Sequence, residues 1–440
     1  MDKDTIVALA TPQGSGGIGI IRLSGNKSKS IAEKITNNPN LKPRYAQLIK
    51  FNNNSLQDNA ILIYFVAPNS YTGEDVVEFQ CHGGRYVTDK VIDLCLNNGA
   101  RLANPGEFTK RAFENGKISL EQAEGIIDII NAETESEAKA GFSLLNGELF
   151  KKVDNMQNLL TSKLAEIEVT LDYPEHDIEY ETKESIKKSL LSIKQELEKL
   201  INTEQTGRII KDGINVAILG RPNVGKSSIL NKLLGYDRAI VTDVAGTTRD
   251  TISESIVYKG IKINLIDTAG IRESQDIVEK IGIDKSIQTI DSADIILLIL
   301  DNSQDLTKED KKNIELVKDK NVIFVSNKSD LDKKLNFDNS ILVSAKDNKN
   351  IDKIKDEIYN KVVDKKIISQ DIILTNKRHI QLVKEAYNNI KNALENIDTV
   401  TLDCIALDIK NAWLNLGAIT GQVADEKIID QIFSRFCLGK

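Results

Sequence analysis

The sequence predicts an α/β multidomain protein, and three changes of pattern along its 440 residues predict it. Residues 1–118 mix short strand-like runs with one helical stretch. From Ser119 the apolar residues fall at helical spacing through residue 171, and that spacing returns after Ile373. Between these stretches, short apolar runs alternate with helices, the signature of a mostly parallel sheet. The simplest organisation has an N-terminal α+β domain at 1–118 and an inserted α/β domain at 212–370. A discontinuous α-helical domain would then pair 119–211 with 371–440.

The elements run in order. Residues 6–10 and 18–23 read as strands joined by a glycine turn, 60–66 and 76–80 as further strands, and 86–97 as a helix. The run GSGGIG at 14–19 satisfies G-x-G-x-x-G. A dinucleotide site needs a helix next, so that its N-terminus meets the pyrophosphate. A second strand pattern comes instead, so dinucleotide binding is rejected. Ser119 and Gln122 have capping-box spacing, and Leu120, Ala123, Ile126, Ile127 and Ile130 then share a helix face. The run YPEH at 173–176 interrupts the helical pattern, and another helix covers about 183–201. Past the inserted domain, Asn376 can cap a helix carrying Ile380, Val383, Ile390 and Ala393, with two more helices behind it.

The inserted segment carries the chemistry. INVAIL at 214–219 reads as a buried parallel strand, and a helix runs from Lys226 to Leu234. Between them GRPNVGKS at 220–227 fits the phosphate-loop pattern G-x-x-x-x-G-K-[ST]. Backbone N–H groups of such a turn, with the positive end of the helix, point at phosphate. Lys226 is expected to reach the β- and γ-phosphates and Ser227 to ligate Mg²⁺. Three companions come later in register: DTAG at 267–270, NKSD at 327–330 and SAK at 344–346. Asp267 ends the strand run 261–266, which places its carboxylate beside Mg²⁺. Thr268 and Ala269 lead to Gly270, where the backbone can approach the γ-phosphate. Asp330 can accept from both N1–H and the 2-amino group of guanine, a donor pair adenine lacks. Asn327, Lys328 and the loop of Ser344, Ala345 and Lys346 support the base. GTP is therefore the expected substrate. A hairpin turning at Lys259 and Gly260 adds an antiparallel edge. The water-orienting glutamine that Ras-type GTPases place after D-x-x-G is replaced by Ile271, which cannot hold a water. Arg249 offers a cation, but beside the switch threonines it reads more simply as a surface residue.

Read with GRPNVGKSS, the segment AIVTDVAGTTRD at 239–250 resembles the potassium-dependent GTPases, and within them the tRNA uridine-modification GTPases. TPQGSGGIGIIRLSG, YTGEDVVEFQCHGG, NPGEFTKRAFENGKISLEQAE and FCLGK extend the resemblance over the whole length. The resemblance implies that Asn223 marks K⁺ binding, with Thr242, Val244 and Thr247 adding oxygen ligands. It makes Thr248 the switch threonine on Mg²⁺ and Glu279 the residue that helps place the catalytic water. Val224, Gly225, Ser228, Asp243, Ala245 and Gly246 complete the nucleotide contacts. It implies that the N-terminal segment is a folate-binding and dimerisation domain, with Arg22, Glu78, Lys117 and Lys440 on 5-formyl- or 5,10-methylene-tetrahydrofolate. Arginine and lysine suit the carboxylates of such a ligand and glutamate its pterin N–H groups. The resemblance further implies a homodimer and a heterotetramer with an FAD-dependent protein of the MnmG (GidA) type. Together they would add a (carboxymethyl)aminomethyl group to carbon 5 of the wobble uridine, position 34, of certain tRNAs. Cys437 is either chemically active or a small residue packed near the dimer centre. The rival reading is a GTP-switch ribosome-assembly factor without modification chemistry.

Composition bounds these expectations. A net charge of −7 argues against bulk electrostatic binding of nucleic acid, so a partner is expected to supply much of the tRNA-binding surface. Cys81, Cys95, Cys404 and Cys437 have no zinc-type spacing, and so few cysteines suggest a reducing compartment. Cys81 and His82, adjacent on a strand, face opposite sides and make a poor metal pair; His82 reads as a turn residue satisfied by backbone. No run reaches a membrane span and the first residues lack a signal-peptide pattern, so a cytoplasmic protein is expected.

Overall fold

The computed structural model describes residues 4–53, 56–173, 176–235, 253–267, 289–363 and 372–440. Backbone contacts divide the chain into two compact units. The first comprises Met1–Ile130, Phe142–Ile193 and Glu385–Lys440; the second comprises Asn131–Gly141 and Lys194–Lys384.

The first unit is built on β1 (Ile6–Leu9), β2 (Ile18–Ser24), β3 (Gln47–Asn53), β4 (Leu56–Phe65), β5 (Val76–His82) and β6 (Arg101–Leu102). They form one sheet in the order β3-β4-β5-β2-β1-β6. One face buries Ile21, Leu23, Leu62 and Phe79 against Ile31 of α1 (Ser28–Thr36) and Val91 of α2 (Arg85–Asn97). Of the glycines at 14–19, Gly19, inside β2, serves packing here. A Cβ on Gly19 would stand 2.6 Å from Thr88 Cγ2 of α2. The run leads into strand β2 and not into a helix, in keeping with the rejection of a dinucleotide site.

The helical stretch at 119–171 is not one helix. After α3 (Glu107–Glu114) it resolves into α4 (Leu120–Asn131), α5 (Glu135–Leu145) and α6 (Glu148–Asp172), with α7 (His176–Ile201) next. Gly147, with φ 70°, caps α6 in the left-handed region that a side chain disfavours. Half of the expected capping box forms, because Gln122 Oε1 accepts from the Ser119 N–H at 2.9 Å. The amide of Gln122 turns instead to the Leu145 carbonyl, at 2.9 Å.

The second unit holds α8 (Glu204–Asp212), β7 (Ile214–Leu219), α9 (Lys226–Leu234), β8 (Ser253–Tyr258), β9 (Ile261–Asp267) and β10 (Ile295–Asp301). It continues with α10 (Lys308–Leu316), β11 (Val322–Asn327), β12 (Ile341–Leu342) and α11 (Ile351–Val362). The sheet order is β12-β11-β10-β7-β9-β8. Every pairing is parallel except β8 with β9. Those two join through Lys259 (φ 50°) and Gly260 (φ 77°), two left-handed residues that match the strand twist. Every residue of β10 is buried, as expected for a parallel strand covered on both faces. One face packs Val216, Ile218 and Leu297 against Ile229 and Leu233 of α9 and Ile354 and Ile358 of α11. The other packs Ile296, Leu298 and Leu300 with Val317 and Leu335.

Helix α8 contacts the chain just before α12 (Lys377–Asn396). Thr203 Oγ1 accepts from the Leu374 N–H at 3.0 Å, and a Cβ on Gly207 would lie only 1.9 Å from the Leu374 carbonyl oxygen. Backbone on both sides leaves no flexible atom to yield. Gly207→Ala is expected to destabilise the protein by about 2–3 kcal/mol, read as a lower denaturant midpoint. An unchanged midpoint would show that this approach is not rigid. Asn376 does cap α12, accepting from the Arg378 N–H at 2.9 Å.

The two further helices are α13 (Leu402–Thr420) and α14 (Glu426–Phe433). In the first unit α13 lies along α6, where Gln157 Nε2 donates to the Trp413 carbonyl at 3.1 Å. Trp413 itself is half-buried. Phe433 of α14 packs 6.0 Å from Phe113 of α3 and stacks on Phe436 at 5.7 Å.

Candidate functional site

Strand β7 lies between β10 and β9, so the loop after it leaves the middle of the parallel sheet at its carboxyl edge, where α/β folds bind ligands. The turn into α9 is made by Asn223 (φ 63°) and Gly225 (φ 98°). Gly225 has a second reason to lack a side chain. Its Cβ would stand 2.3 Å from Asn327 Nδ2. That amide donates to the Val224 carbonyl at 2.9 Å, while Asn327 Oδ1 accepts from the Ala345 N–H at 3.1 Å. Buried Asn327 thus clips the phosphate loop to the Ser344–Lys346 loop. Lys226 Nζ donates to the carbonyls of Gly220 and Arg221, at 2.8 and 3.0 Å. The side chains of Asn223, Ser227 and Ser228 are exposed.

These residues line an open cleft of about 1130 Å³ together with Asn327, Lys328, Asp330, Ala345 and Lys346. Asp330 Oδ1 accepts from the Ser344 hydroxyl at 2.8 Å. That hydrogen bond, with the Asp330 backbone N–H and the charges of Lys346 and Lys328, holds the Asp330 carboxyl below the usual carboxylate range. The base loop is anchored from behind. Lys328 Nζ pairs with Asp301 Oδ2 at 2.6 Å, and Arg221 pairs with Asp310 at 3.2 Å. Neither Asp301 nor Arg221 stands out in the sequence as a site residue. One signal was available: Asp301 ends an apolar strand run as Asp267 does.

Asp267 closes β9 in register with Ile218 of β7, two residues before Gly220. Thr242, Asp243, Val244, Ala245, Gly246, Thr247, Thr248, Arg249, Thr268, Ala269, Gly270, Ile271 and Glu279 lie outside the described residues.

In the first unit, Arg22 of β2 and Glu78 of β5 are direct cross-strand partners, and Arg22 Nε lies 2.9 Å from Glu78 Oε1. Arg22 Nη1 also donates to the Gly439 carbonyl at 3.3 Å, and its guanidinium rests over the rings of Tyr71 (5.2 Å) and Phe108 (5.7 Å). Gly439 (φ 90°) fits because a Cβ there would meet the Leu9 carbonyl oxygen at 2.1 Å. Burial, with the nearby charge of Arg22, pushes the Lys440 ammonium below its ordinary pKa. Arg22, Glu78 and Lys440 therefore gather at one place. Lys117 takes a different partner, the Pro68 carbonyl at 3.1 Å. Its stem borders Gly73, on the loop that carries Tyr71. Tyr71, Phe108 and Gly439 lie in strings that carry the resemblance, but nothing in the sequence assigned them to this place.

Cys437 is exposed. Cys81 is buried and His82 exposed, on opposite faces as expected. His82 is not satisfied by backbone, however: its ring Nδ1 lies 2.5 Å from Asp58 Oδ1. Burial pushes the Cys81 thiol up to about 11 and the Cys95 thiol up to about 12, so both stay protonated at neutral pH.

A parallel sheet with a phosphate loop at its centre, and an N-K-x-D strand end and an S-A-K loop closing one cleft, defines a P-loop GTPase. Comparison with known proteins narrows the class. A family model for the MnmE helical domain matches residues 120–437, and one for the GTP-binding protein TrmE N-terminus matches 5–117. The chain is 42% identical over 456 residues to the tRNA modification GTPase MnmE of Acetivibrio thermocellus, spanning 100% of this chain and 99% of the relative. It is 43% identical over 453 residues to that of Lactobacillus gasseri, spanning 99% and 98%. Among solved structures it is similar to Aquifex aeolicus Era, at 26% identity over 40% of this chain and 66% of the other, with a TM-score of 0.27. The chain belongs to the MnmE family of tRNA modification GTPases. Among the described residues no helix is long and apolar enough to cross a membrane.

Proposed function

We propose that the protein is a potassium-dependent GTPase. With an FAD-dependent partner of the MnmG type, it would add a (carboxymethyl)aminomethyl group to carbon 5 of the wobble uridine of certain tRNAs. The observation that carries this reading is the single cleft shared by the phosphate loop, Asp330 and the Ser344–Lys346 loop, in a chain that matches tRNA modification GTPases over its full length. Within the cleft, Asp330 orients guanine, and Lys226 exchanges the Gly220 and Arg221 carbonyls for phosphate oxygens. The exposed hydroxyl of Ser227, at the start of α9, suits a hard cation such as Mg²⁺, with Asp267 and Thr248 completing its set. Asn223, exposed on the left-handed turn, would hold K⁺ with Thr242, Val244 and Thr247. These ions neutralise charge on the transferred phosphate. Val224, Gly225 and Ser228 present backbone to the phosphates, and Glu279 places the water.

Arg22 and Glu78 of the N-terminal domain, with Lys440 of the helical part, suit a folate that supplies one carbon. Two cations and a carboxylate gathered on a half-buried patch match the carboxylates and pterin N–H groups of that ligand. A bound folate would compete with the Arg22–Glu78 pair, and Lys117 would leave Pro68 to join it. Cys437, exposed three residues before Lys440, is available for chemistry. The proposed domains are 1–118 for folate and dimerisation, 212–370 for GTP, and 119–211 with 371–440 for the helical part. The proposed setting is cytoplasmic, as a homodimer that also assembles with its FAD-dependent partner.

Deleting the gene is expected to remove the C5-substituted wobble uridine from tRNA, measured by mass spectrometry of nucleosides. Intact wobble modification with accumulating ribosomal precursors would establish the assembly-factor reading instead. Hydrolysis is expected to run at least about tenfold faster in K⁺ than in Na⁺, the scale of one preorganised charge at the transferred phosphate. Equal rates would remove K⁺ from the proposal.

A further inference from the structure

Two loops of the nucleotide cleft converge on one buried carboxylate. Asp301 closes β10 opposite Asn327 of β11 and is 3% exposed. Its Oδ1 accepts from the N–H and the hydroxyl of Ser303, at 3.0 and 2.7 Å. Its Oδ2 lies 2.6 Å from Lys328 Nζ of the base loop and 3.8 Å from Arg221 Nη2 of the phosphate loop. Burial pulls this carboxyl upward, but Lys328 and Ser303 outweigh it and leave it below the usual carboxylate range. It is a charged acceptor with defined partners.

Lys328 has an unusual task. It sits at φ 65°, a conformation a lysine rarely adopts, and lines the cleft between Asn327 and Asp330. A lysine stem with a free ammonium samples many rotamers, and ordering it on binding costs affinity. Anchoring its head from behind lets that cost fall on folding instead, and leaves the apolar stem facing the cleft.

We propose that Asp301 is a positioning residue for guanine-nucleotide binding. It holds Lys328 so that the lysine stem forms one preordered wall of the base slot next to Asp330, and through Arg221 it ties that wall to the phosphate loop. The inference rests on the reading of this cleft as the guanine-nucleotide site.

The test uses the full-length protein and a fluorescent N-methylanthraniloyl-GDP. Asp301→Asn keeps the shape and loses the charge. Lys328→Met keeps the stem and loses the anchor. Each is expected to weaken binding by about tenfold, mostly through faster dissociation, the scale of one charge-assisted hydrogen bond. The double variant should be no weaker than either single variant, because both remove the same restraint. For Asp301→Asn, kcat at saturating GTP should stay within about twofold while KM rises, since a uniform binding contribution is lost. A purely structural ion pair would lower the unfolding midpoint without this split. Wild-type affinity in Asp301→Asn, or additive losses in the double variant, overturns the proposal. If Asp301→Asn does not fold, Lys328→Met decides alone, and undiminished affinity there overturns it. Failure of the wild-type protein to bind the GDP analogue would instead remove the reading of the cleft on which the inference stands.

Discussion

Asp330→Asn is expected to weaken guanine nucleotides by about 10³-fold and to let xanthine nucleotides bind in their place, because the change inverts one hydrogen-bonding edge. The Ser344 hydroxyl donates to Asp330 Oδ1 at 2.8 Å and itself accepts from the Asp347 N–H at 3.1 Å. The carboxylate is thus held ionised and fixed, an acceptor suited to the two N–H donors of guanine on the proposed reading. An asparagine there turns its NH₂ toward those donors. Xanthine carries a carbonyl where guanine has its 2-amino group, and that carbonyl accepts from the new amide. Competition titrations with GDP and XDP measure the switch, and an unchanged preference would show that Asp330 does not read the base. The pH dependence has a definite sign. The carboxyl sits below the usual range, so guanine recognition through it persists at neutral and mildly acid pH. It is lost only as pH falls through that lowered value.

The second large effect falls on turnover. Lys226→Met is expected to lower kcat/KM for GTP hydrolysis by about 10³-fold, since it removes a preorganised cation from the transferred phosphate in a step governed by positioning and charge. Methionine keeps most of the half-buried stem. The loop keeps its clip, because Asn327 still bonds Val224 and Ala345. The fold loses the bonds from Lys226 to the Gly220 and Arg221 carbonyls. Phosphate release measured against GTP concentration, beside a denaturation midpoint, separates the two consequences. A variant within about tenfold of wild type in kcat/KM would mean that Lys226 does not act on the reacting phosphate.

Much of the second unit was legible in advance for local reasons. Strand β7 and helix α9 have the bounds that the apolar run and the glycine turn predict. Lys259 and Gly260 form the expected hairpin turn, and Asn376 caps the helix it precedes. Each of these rests on neighbours within a few residues. The misreadings share a different cause. Helical periodicity ran on past residue 131 because it records which side of a helix is apolar, not where the chain turns, so it did not divide the stretch into its three helices. Strand β3 and helix α1 were missed since QLIKFNN of β3 holds just three apolar residues and α1 is short and mostly polar.

The sequence by itself determined which nucleotide chemistry is available. Lys226, Ser227, Asp267, Asn327 and Asp330 carry their donor and acceptor roles in their own side chains, and motif order places them along the chain. Family membership was legible for the same reason, as strings of residues. Only the tertiary structure decided what holds those groups. Asp301 meets Lys328 across 27 positions, Asn327 reaches Val224 across 103, and Arg22 reaches Gly439 across 417. Such pairings depend on sheet order and strand register, which arise from burying many weak apolar contacts at once, and no single stretch of sequence encodes them.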